Sequence, residues 1–293
     1  MNMRFKPAAV AGAMSIHFQI NNTPDNNNCS IGGGTVCERQ EQADFENLYF
    51  NGTNTYNPAD IMWSGDCNTC VFKNLGNDPA LGTQNYQTPL FATNYWASSV
   101  SNEGDGIQYG VLENFACGDS KNGSAPCFQG RLQRATFRTA FCDGINIAAD
   151  MAVCYAFYNS SNVILENLGN EGNAGYQFYI SNSRNFNAIN LGIGTPVTTN
   201  SAPPLGGLYL VGSSNNKFDG VLVGSSVNWF TGFGVYRVLT DATSYQNQFL
   251  DWQLVGTNEM NLGATGNNFT QYCVFSTGCD SNVNWSTLGT KPY

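Results

Sequence analysis

Carboxylates are the residues of this chain best suited to do chemistry. Asp143, Asp150, Glu171, Asp219 and Asp251 fall at or near turns. Two carboxyl groups about 5 to 10 Å apart suffice for glycoside hydrolysis, one as acid and the other as nucleophile or base. Other chemistries are poorly supplied. His17 is the only histidine, and Cys67-Asn-Thr-Cys70 has neither a second CxxC to complete a four-ligand zinc site nor the histidine of a haem motif. Arg131, Arg134 and Arg138 form a small basic group. No cofactor is demanded. Calcium is the ion that an Asp-rich turn could take, although no Asp-x-Asp-x-Asp loop is present.

The elements that must position these groups are announced by a repeat. A four-residue phrase, apolar, outward residue, Asn or a small substitute, then apolar or aromatic, recurs nine times. Its clear forms are Phe45-Glu46-Asn47-Leu48, Phe72-Lys73-Asn74-Leu75, Leu112-Glu113-Asn114-Phe115, Phe137-Arg138-Thr139-Ala140, Leu165-Glu166-Asn167-Leu168 and Ala188-Ile189-Asn190-Leu191. Weaker forms follow at Phe218-Asp219-Gly220-Val221, Phe249-Leu250-Asp251-Trp252 and Phe269-Thr270-Gln271-Tyr272. Asp219 and Asp251 thus sit in or near the bends of neighbouring repeats. The spacing matches solenoid coils of roughly twenty or more residues, with larger gaps as loops from one corner. Flanking residues such as Val163, Leu165 and Leu168, then Phe186, Ala188, Leu191 and Ile193, alternate inward as in short strands. A second strand column starts after glycine, at Gly144-Ile145-Asn146-Ile147, Gly175-Tyr176-Gln177-Phe178, Gly207-Leu208-Tyr209-Leu210 and Gly234-Val235-Tyr236.

Stacked coils lie about 4.8 Å apart, so equivalent residues become ladders. Asn47, Asn74, Asn114, Asn167 and Asn190 are expected to form an amide ladder at the bend. The outward residues Glu46, Lys73, Glu113, Arg138 and Glu166 alternate in sign, which predicts lateral ion pairs on a solvated face. The fold class is therefore all-β, a right-handed single-stranded parallel β-helix of about nine coils. A β-sandwich would also alternate, but it has no reason to repeat one phrase at coil spacing. Residues 1–44 read as an N-terminal cap or connector, 45–275 as the β-helix and 276–293 as a C-terminal cap. The intervals Gly76 to Asp105 and Thr195 to Pro204 read as loop insertions.

Composition narrows the setting. Only 11% of residues are charged and the net charge is −9 with no basic cluster large enough for a phosphate backbone, which excludes DNA and RNA as partners. The ten cysteines fall as close neighbours: Cys29 and Cys37, Cys67 and Cys70, Cys117 and Cys127, Cys142 and Cys154, Cys273 and Cys279. Local disulfides and an oxidising compartment follow. Seven Asn-x-Ser/Thr sequons, at Asn21, Asn28, Asn51, Asn122, Asn159, Asn268 and Asn284, are compatible with export. Met1 to Ile20 is too short and too polar for a membrane span and reads as a degenerate signal peptide or the trimmed start of a longer chain.

Over residues 45–275 the phrase and its ladder resemble the pectate-lyase-like β-helix superfamily, which spans pectate lyases, polygalacturonases, alginate-modifying enzymes and phage tailspikes. The segment Cys142-Asp143-Gly144 resembles the polygalacturonase stretch that carries the first catalytic aspartate, keeping only its Asp-Gly. The Gly-His-Gly and Arg-Ile-Lys phrases of that family are missing, as are the Arg-x-Pro-x-x-Arg of pectate lyases and the histidine pattern of alginate epimerases. Tailspikes use Asp and Glu pairs without a short signature, and the resemblance implies Asp143, Asp150, Asp219 and Asp251 as candidate catalytic residues. It also implies an extracellular, secreted or virion-surface protein whose partner is polysaccharide or cell-surface glycan, assembled as a homotrimer or within a larger surface structure. Activity, where present, would be that of a glycoside hydrolase or polysaccharide lyase. The alternative is a non-catalytic fibre, adhesin or virion component. Trp229, Tyr236, Tyr245, Tyr158 and Tyr176 lie near turns, where flat rings can stack on sugars as well as pack.

Overall fold

The computed structural model describes residues 3–5, 16–19, 39–41, 44–50, 61–64, 66–77, 90–93, 106–117, 127–143, 153–171, 176–193, 206–220, 222–223, 236–241, 243–254, 259–262, 268–274 and 278–279. They build a parallel β-solenoid. One sheet has nine strands, one per coil: Ile16–Gln19, Ile61–Ser64, Phe91–Thr93, Phe128–Gly130, Tyr155–Tyr158, Tyr176–Ser181, Gly206–Val211, Tyr236–Thr240 and Glu259–Leu262. The other sheet has seventeen strands and wraps the rest of each coil. Three strands within residues 1–44 already pair with these coils, through Met3↔Leu48, Ile16↔Ile61 and Arg39↔Asp66. At the far end Gly278–Cys279 runs antiparallel to Asn268–Val274 and covers its edge, with Cys273 opposite Cys279.

Each coil turns through left-handed backbone, and this explains the asparagines. At the bend φ is positive at Asn47, Asn74, Asn114, Thr139, Asn167, Asn190 and Gly220. A Cβ makes this region unfavourable, and Asn tolerates it best among residues with a side chain. The amide ladder forms as expected: Asn74 Nδ2 donates to Asn47 Oδ1 at 2.9 Å, Asn114 to Asn74 at 3.0 Å and Asn190 to Asn167 at 3.3 Å. Thr139 interrupts it. Gly220, at φ 64°, stands against Asn190 Oδ1, which a Cβ would meet at 3.0 Å.

Inside the coils the phrase residues Phe72, Leu112, Phe137, Leu165, Ala188, Phe218 and Phe249 are buried. Aromatic rings stack from coil to coil: Phe91 on Phe128, Phe128 on Phe157 and Tyr155 on Phe178, with centroids 5.9, 5.4 and 4.9 Å apart. Tyr155 is wholly enclosed, donates its hydroxyl to the Gly169 carbonyl at 2.7 Å, and burial pushes its pKa well above the ordinary value. A polar spine runs through the same interior. The backbone N–H of Leu132 donates to Ser160 Oγ, that of Ser160 to Ser183 Oγ, Ser183 to Ser213 and Ser213 to Ser244, at 2.9 to 3.1 Å. These serines satisfy corner amides that the parallel ladder leaves without a carbonyl.

Three of the local disulfides lie among the described residues, Cys67–Cys70, Cys117–Cys127 and Cys142–Cys154. Cys117 and Cys142 are in register, so the last two bridges stack, each tying the end of one strand to the start of the next sheet. Two readings of the sequence need correction. The interval Gly76 to Asp105 is not all loop, because Phe91–Thr93 is a strand between Ile61–Ser64 and Phe128–Gly130. The nine-stranded sheet takes Tyr155–Tyr158 in its coil, in register with Tyr176–Ser181, so the Gly144-Ile145-Asn146-Ile147 segment is not that strand. Two apolar alternations compete within one coil, and only Tyr155–Tyr158 brings Tyr155 and Phe157 inward. Ile145 itself and the interval Thr195 to Pro204 lie outside the described residues.

Candidate functional site

With the stack fixed, the outward faces differ in what they offer. On the seventeen-stranded sheet the charged column is in register through Glu46↔Lys73, Lys73↔Glu113, Glu113↔Arg138 and Arg138↔Glu166. Glu113 is its centre, with Oε2 3.1 Å from Arg138 Nη2 and 3.8 Å from Lys73 Nζ. Charges spent on one another in this way tie coils together and leave little field for a ligand.

The candidate carboxylates scatter over this sheet. Asp219 ends the strand Lys217–Asp219 and is paired with Lys217 Nζ at 2.8 Å. Asp251 lies in the next coil, beside Leu250, which is the register partner of Asp219. Its side chain and the whole of Asp150 lie outside the described residues. Asp143 and Glu171 are brought together: each is the last residue of its strand, and they are register partners in adjacent coils, about 4.8 Å apart along the backbone. Their side chains lie outside the described residues. Two residues earlier in each strand, the exposed ring of Phe141 lies against Gly169, whose missing Cβ would stand 3.3 Å from the ring.

The outer face of the nine-stranded sheet is of a different kind. Tyr158, Tyr179 and Tyr209 cluster across three consecutive coils, with centroids 5.7 and 5.6 Å apart and planes at 55° and 66°. Strand alternation puts them there: Phe157, Phe178, Ile180, Leu208 and Leu210 point inward and the tyrosines between or beside them point out. Tyr158 faces the gap left by Ala156, the register partner of Tyr179. Burial, the neighbouring Tyr179 and, in the opposite sense, a hydrogen bond from Gln129 leave the Tyr158 hydroxyl pushed up to about 12. Tyr209 is raised by burial, by Tyr179 and by the charge of Asp241. For Asp241, burial acts to raise the pKa, yet Ser244 Oγ and Thr243 Oγ1, both at 2.7 Å, with the N–H groups of Gly212 and Thr243, hold it below the usual carboxylate range. Tyr158 and Tyr209 therefore stay neutral at ordinary pH, with the ionised Asp241 beside Tyr209.

The sequence reading reached Tyr158 and missed Tyr179 and Tyr209. Their signal is an apolar–Tyr–apolar triplet, Phe178-Tyr179-Ile180 and Leu208-Tyr209-Leu210, repeated one coil apart. Tyr245 is exposed at a corner, whereas the side chains of Tyr236 and Tyr176 and the whole of Trp229 lie outside the described residues. Among the described residues no three His, Cys, Asp or Glu side chains gather as a metal site.

The fold and its outer faces define the class, a disulfide-bonded parallel β-solenoid. No protein-family model and no curated protein matches the chain. Among solved structures it is similar to the crystal structure of the Dettilon tailspike protein (gp208), at 10% identity and a TM-score of 0.40, over 86% of this chain and 59% of that one. The chain thus spans about three-fifths of that structure's length.

Proposed function

We propose that this chain is the glycan-binding solenoid of an extracellular or virion-surface protein, with the tyrosine cluster of the nine-stranded sheet as its contact face. The observation that carries this reading is Tyr158–Tyr179–Tyr209 on the outside of three consecutive coils. Tyrosine combines a flat apolar body with a polar tip, so that its faces pack on the C–H side of a sugar ring while hydroxyls bond its edges. Rings supported by a rigid sheet lose little freedom on binding. Neither the core nor the ladders require tyrosine at these outward positions, as Ala156 shows in the column of Tyr179 and Tyr209 and Ser181 in that of Tyr158.

The test is a glycan array followed by titration of the best binder, using wild type and Tyr179→Ala. Tyr179 is the central ring, and its loss should weaken binding at least about tenfold, the scale of a central aromatic contact, with the melting temperature little changed. Unchanged affinity would place the glycan elsewhere.

A depolymerase is the second reading, favoured by the register pairing of Asp143 with Glu171 beside the exposed Phe141. Two adjacent carboxylates next to an aromatic platform are the elements of a glycosidase site. Appearance of reducing ends or unsaturated products from a polysaccharide panel, abolished by Asp143→Asn and by Glu171→Gln, would establish it. Silence of the wild type across that panel would leave the binding role alone.

A further inference from the structure

The three outward tyrosines of the nine-stranded sheet are not equivalent neighbours. Tyr179 and Tyr209 are register partners, so their stems stand abreast, one coil step of about 4.8 Å apart. Their ring centroids are 5.6 Å apart, so these two side chains lean slightly away from each other. Tyr158 lies outside that column: its partner in the next coil is Ser181, two residues beyond Tyr179. Tyr158 and Tyr179 are therefore diagonal neighbours, and one coil step combined with two residues along a strand separates their backbones by about 8 Å. Their ring centroids are only 5.7 Å apart, so this pair converges outward.

We propose that Tyr158 and Tyr179 form an oxidative cross-linking site, at which a haem peroxidase supplied with hydrogen peroxide joins adjacent coils through a carbon–carbon bond between the two phenols. This goes beyond the glycan-binding reading and does not rest on it. Each phenol gives up one electron and one proton, and the two phenoxyl radicals couple at ring carbons ortho to their hydroxyls. The ring protons at the new bond then return to the oxygens, so that both hydroxyls are kept and the peroxide leaves as two waters. Coupling ortho to the hydroxyls draws the polar ends together and splays the stems. A converging diagonal pair already has that shape, whereas the stems of Tyr179 and Tyr209 are too close for it. Tyr209 touches Tyr179 and passes a radical to it without bonding. The setting agrees, because the six described half-cystines are oxidised already and offer no thiol to quench a radical. Cys117–Cys127 and Cys142–Cys154 tie strand to strand within a coil. The phenol bond ties coil to coil and, by closing the chain between 158 and 179, removes freedom from the unfolded state.

The experiment treats the dilute, folded full chain with a haem peroxidase and hydrogen peroxide, beside a urea-unfolded control. Wild type, Tyr158→Phe, Tyr179→Phe and Tyr209→Phe are compared by the dityrosine fluorescence of the monomer. The bond is mapped by mass spectrometry after disulfide reduction and cleavage at Glu166 and Glu171, which lie between the two tyrosines. Folded wild type should give a monomer lighter by two hydrogens, with the Tyr158 and Tyr179 peptides joined. The signal should be lost in Tyr158→Phe and in Tyr179→Phe and persist in Tyr209→Phe. A bond mapped to Tyr179 and Tyr209 overturns the inference, as does a signal that survives Tyr158→Phe. Products joined only between chains, through the exposed Tyr109 and Tyr245, overturn it too. So does a folded chain that couples no faster than the unfolded one. The wild-type map stands whether or not each variant folds, and glycan binding is measured apart, so failure here leaves the proposed function in place.

Discussion

The bend and a second corner of the seventeen-stranded sheet, the one that follows its short strands Asp66–Asn68, Gly106–Gln108 and Leu132–Gln133, use the same left-handed backbone, coil after coil, and fill it differently. At the bend the left-handed residues are Asn47, Asn74, Asn114, Thr139, Asn167, Asn190 and Gly220, and the amides bond one another along the stack. At the corner the column runs Thr69, Tyr109, Arg134, Asn162, Asn185, Asn215 and Gln246. Backbone geometry is the common term, so it cannot be what selects Tyr109 and Arg134. Where a column repeats one residue type, the side chain serves the stack. Where it departs at exposed positions against its own conformational preference, as at Tyr109 and Arg134, an amide ladder is not what the side chain serves.

Leucine at the bend should break the comparison most severely. Asn167→Leu places a side chain without local hydrogen bonds in the left-handed region and removes the acceptor of the Asn190 amide. The expected loss is about 2 to 3 kcal/mol, from strain of about 1 to 2 and a hydrogen bond of about 1. Denaturant melts with Asn167→Gly alongside separate the two contributions, since glycine removes the bond without the strain. Equal stability of the leucine variant and wild type would mean that the ladder does not hold the coils.

A gain should come from repairing the interruption. Thr139 is β-branched, sits at φ 54°, and separates the Asn47–Asn114 run from the Asn167–Asn190 pair. Thr139→Asn should relieve the strain and supply rungs on both sides, stabilising by about 1 kcal/mol. A melting temperature at or below that of wild type would show that the ladder's continuity has no energetic content at this coil.

This contrast also marks how much could be read in advance. The phrase was legible because every coil meets the same constraint at the same place, so inward alternation and the bend asparagine recur however the loops vary. The buried serines were not, although Ser160, Ser183 and Ser213 each follow an Asn or Gly corner, because serine is common in this chain and a polar residue gives no periodic apolar signal. The strand Phe91–Thr93 is three residues within a long interval, too short to declare itself. Tyr155–Tyr158 had a rival in the same coil. For the candidate site, residue types were visible but register was not: nothing in spacing shows that Asp143 meets Glu171, because a link of variable length separates their strands, whereas Asp219 meets Lys217 two residues earlier in its own strand.

The smallest effect belongs to the charged column, where sequence and structure agree on the register. Glu166 is the partner of Arg138, but Arg138 already bonds Glu113 at 3.1 Å and is less than half exposed, so Glu166 adds a second anion to a cation that has one. Solvent and salt screen such a pair, and exposed bridges contribute about 0 to 1 kcal/mol. Glu166→Gln keeps the shape of the side chain and should shift stability by less than about 0.5 kcal/mol, measured at low and high salt. A larger loss that disappears at high salt would make the alternating column a cooperative network. The outward charges would then rank beside the bend amides in fixing the stack, and the line drawn between columns that serve the fold and columns free to bind would have to move to include this face.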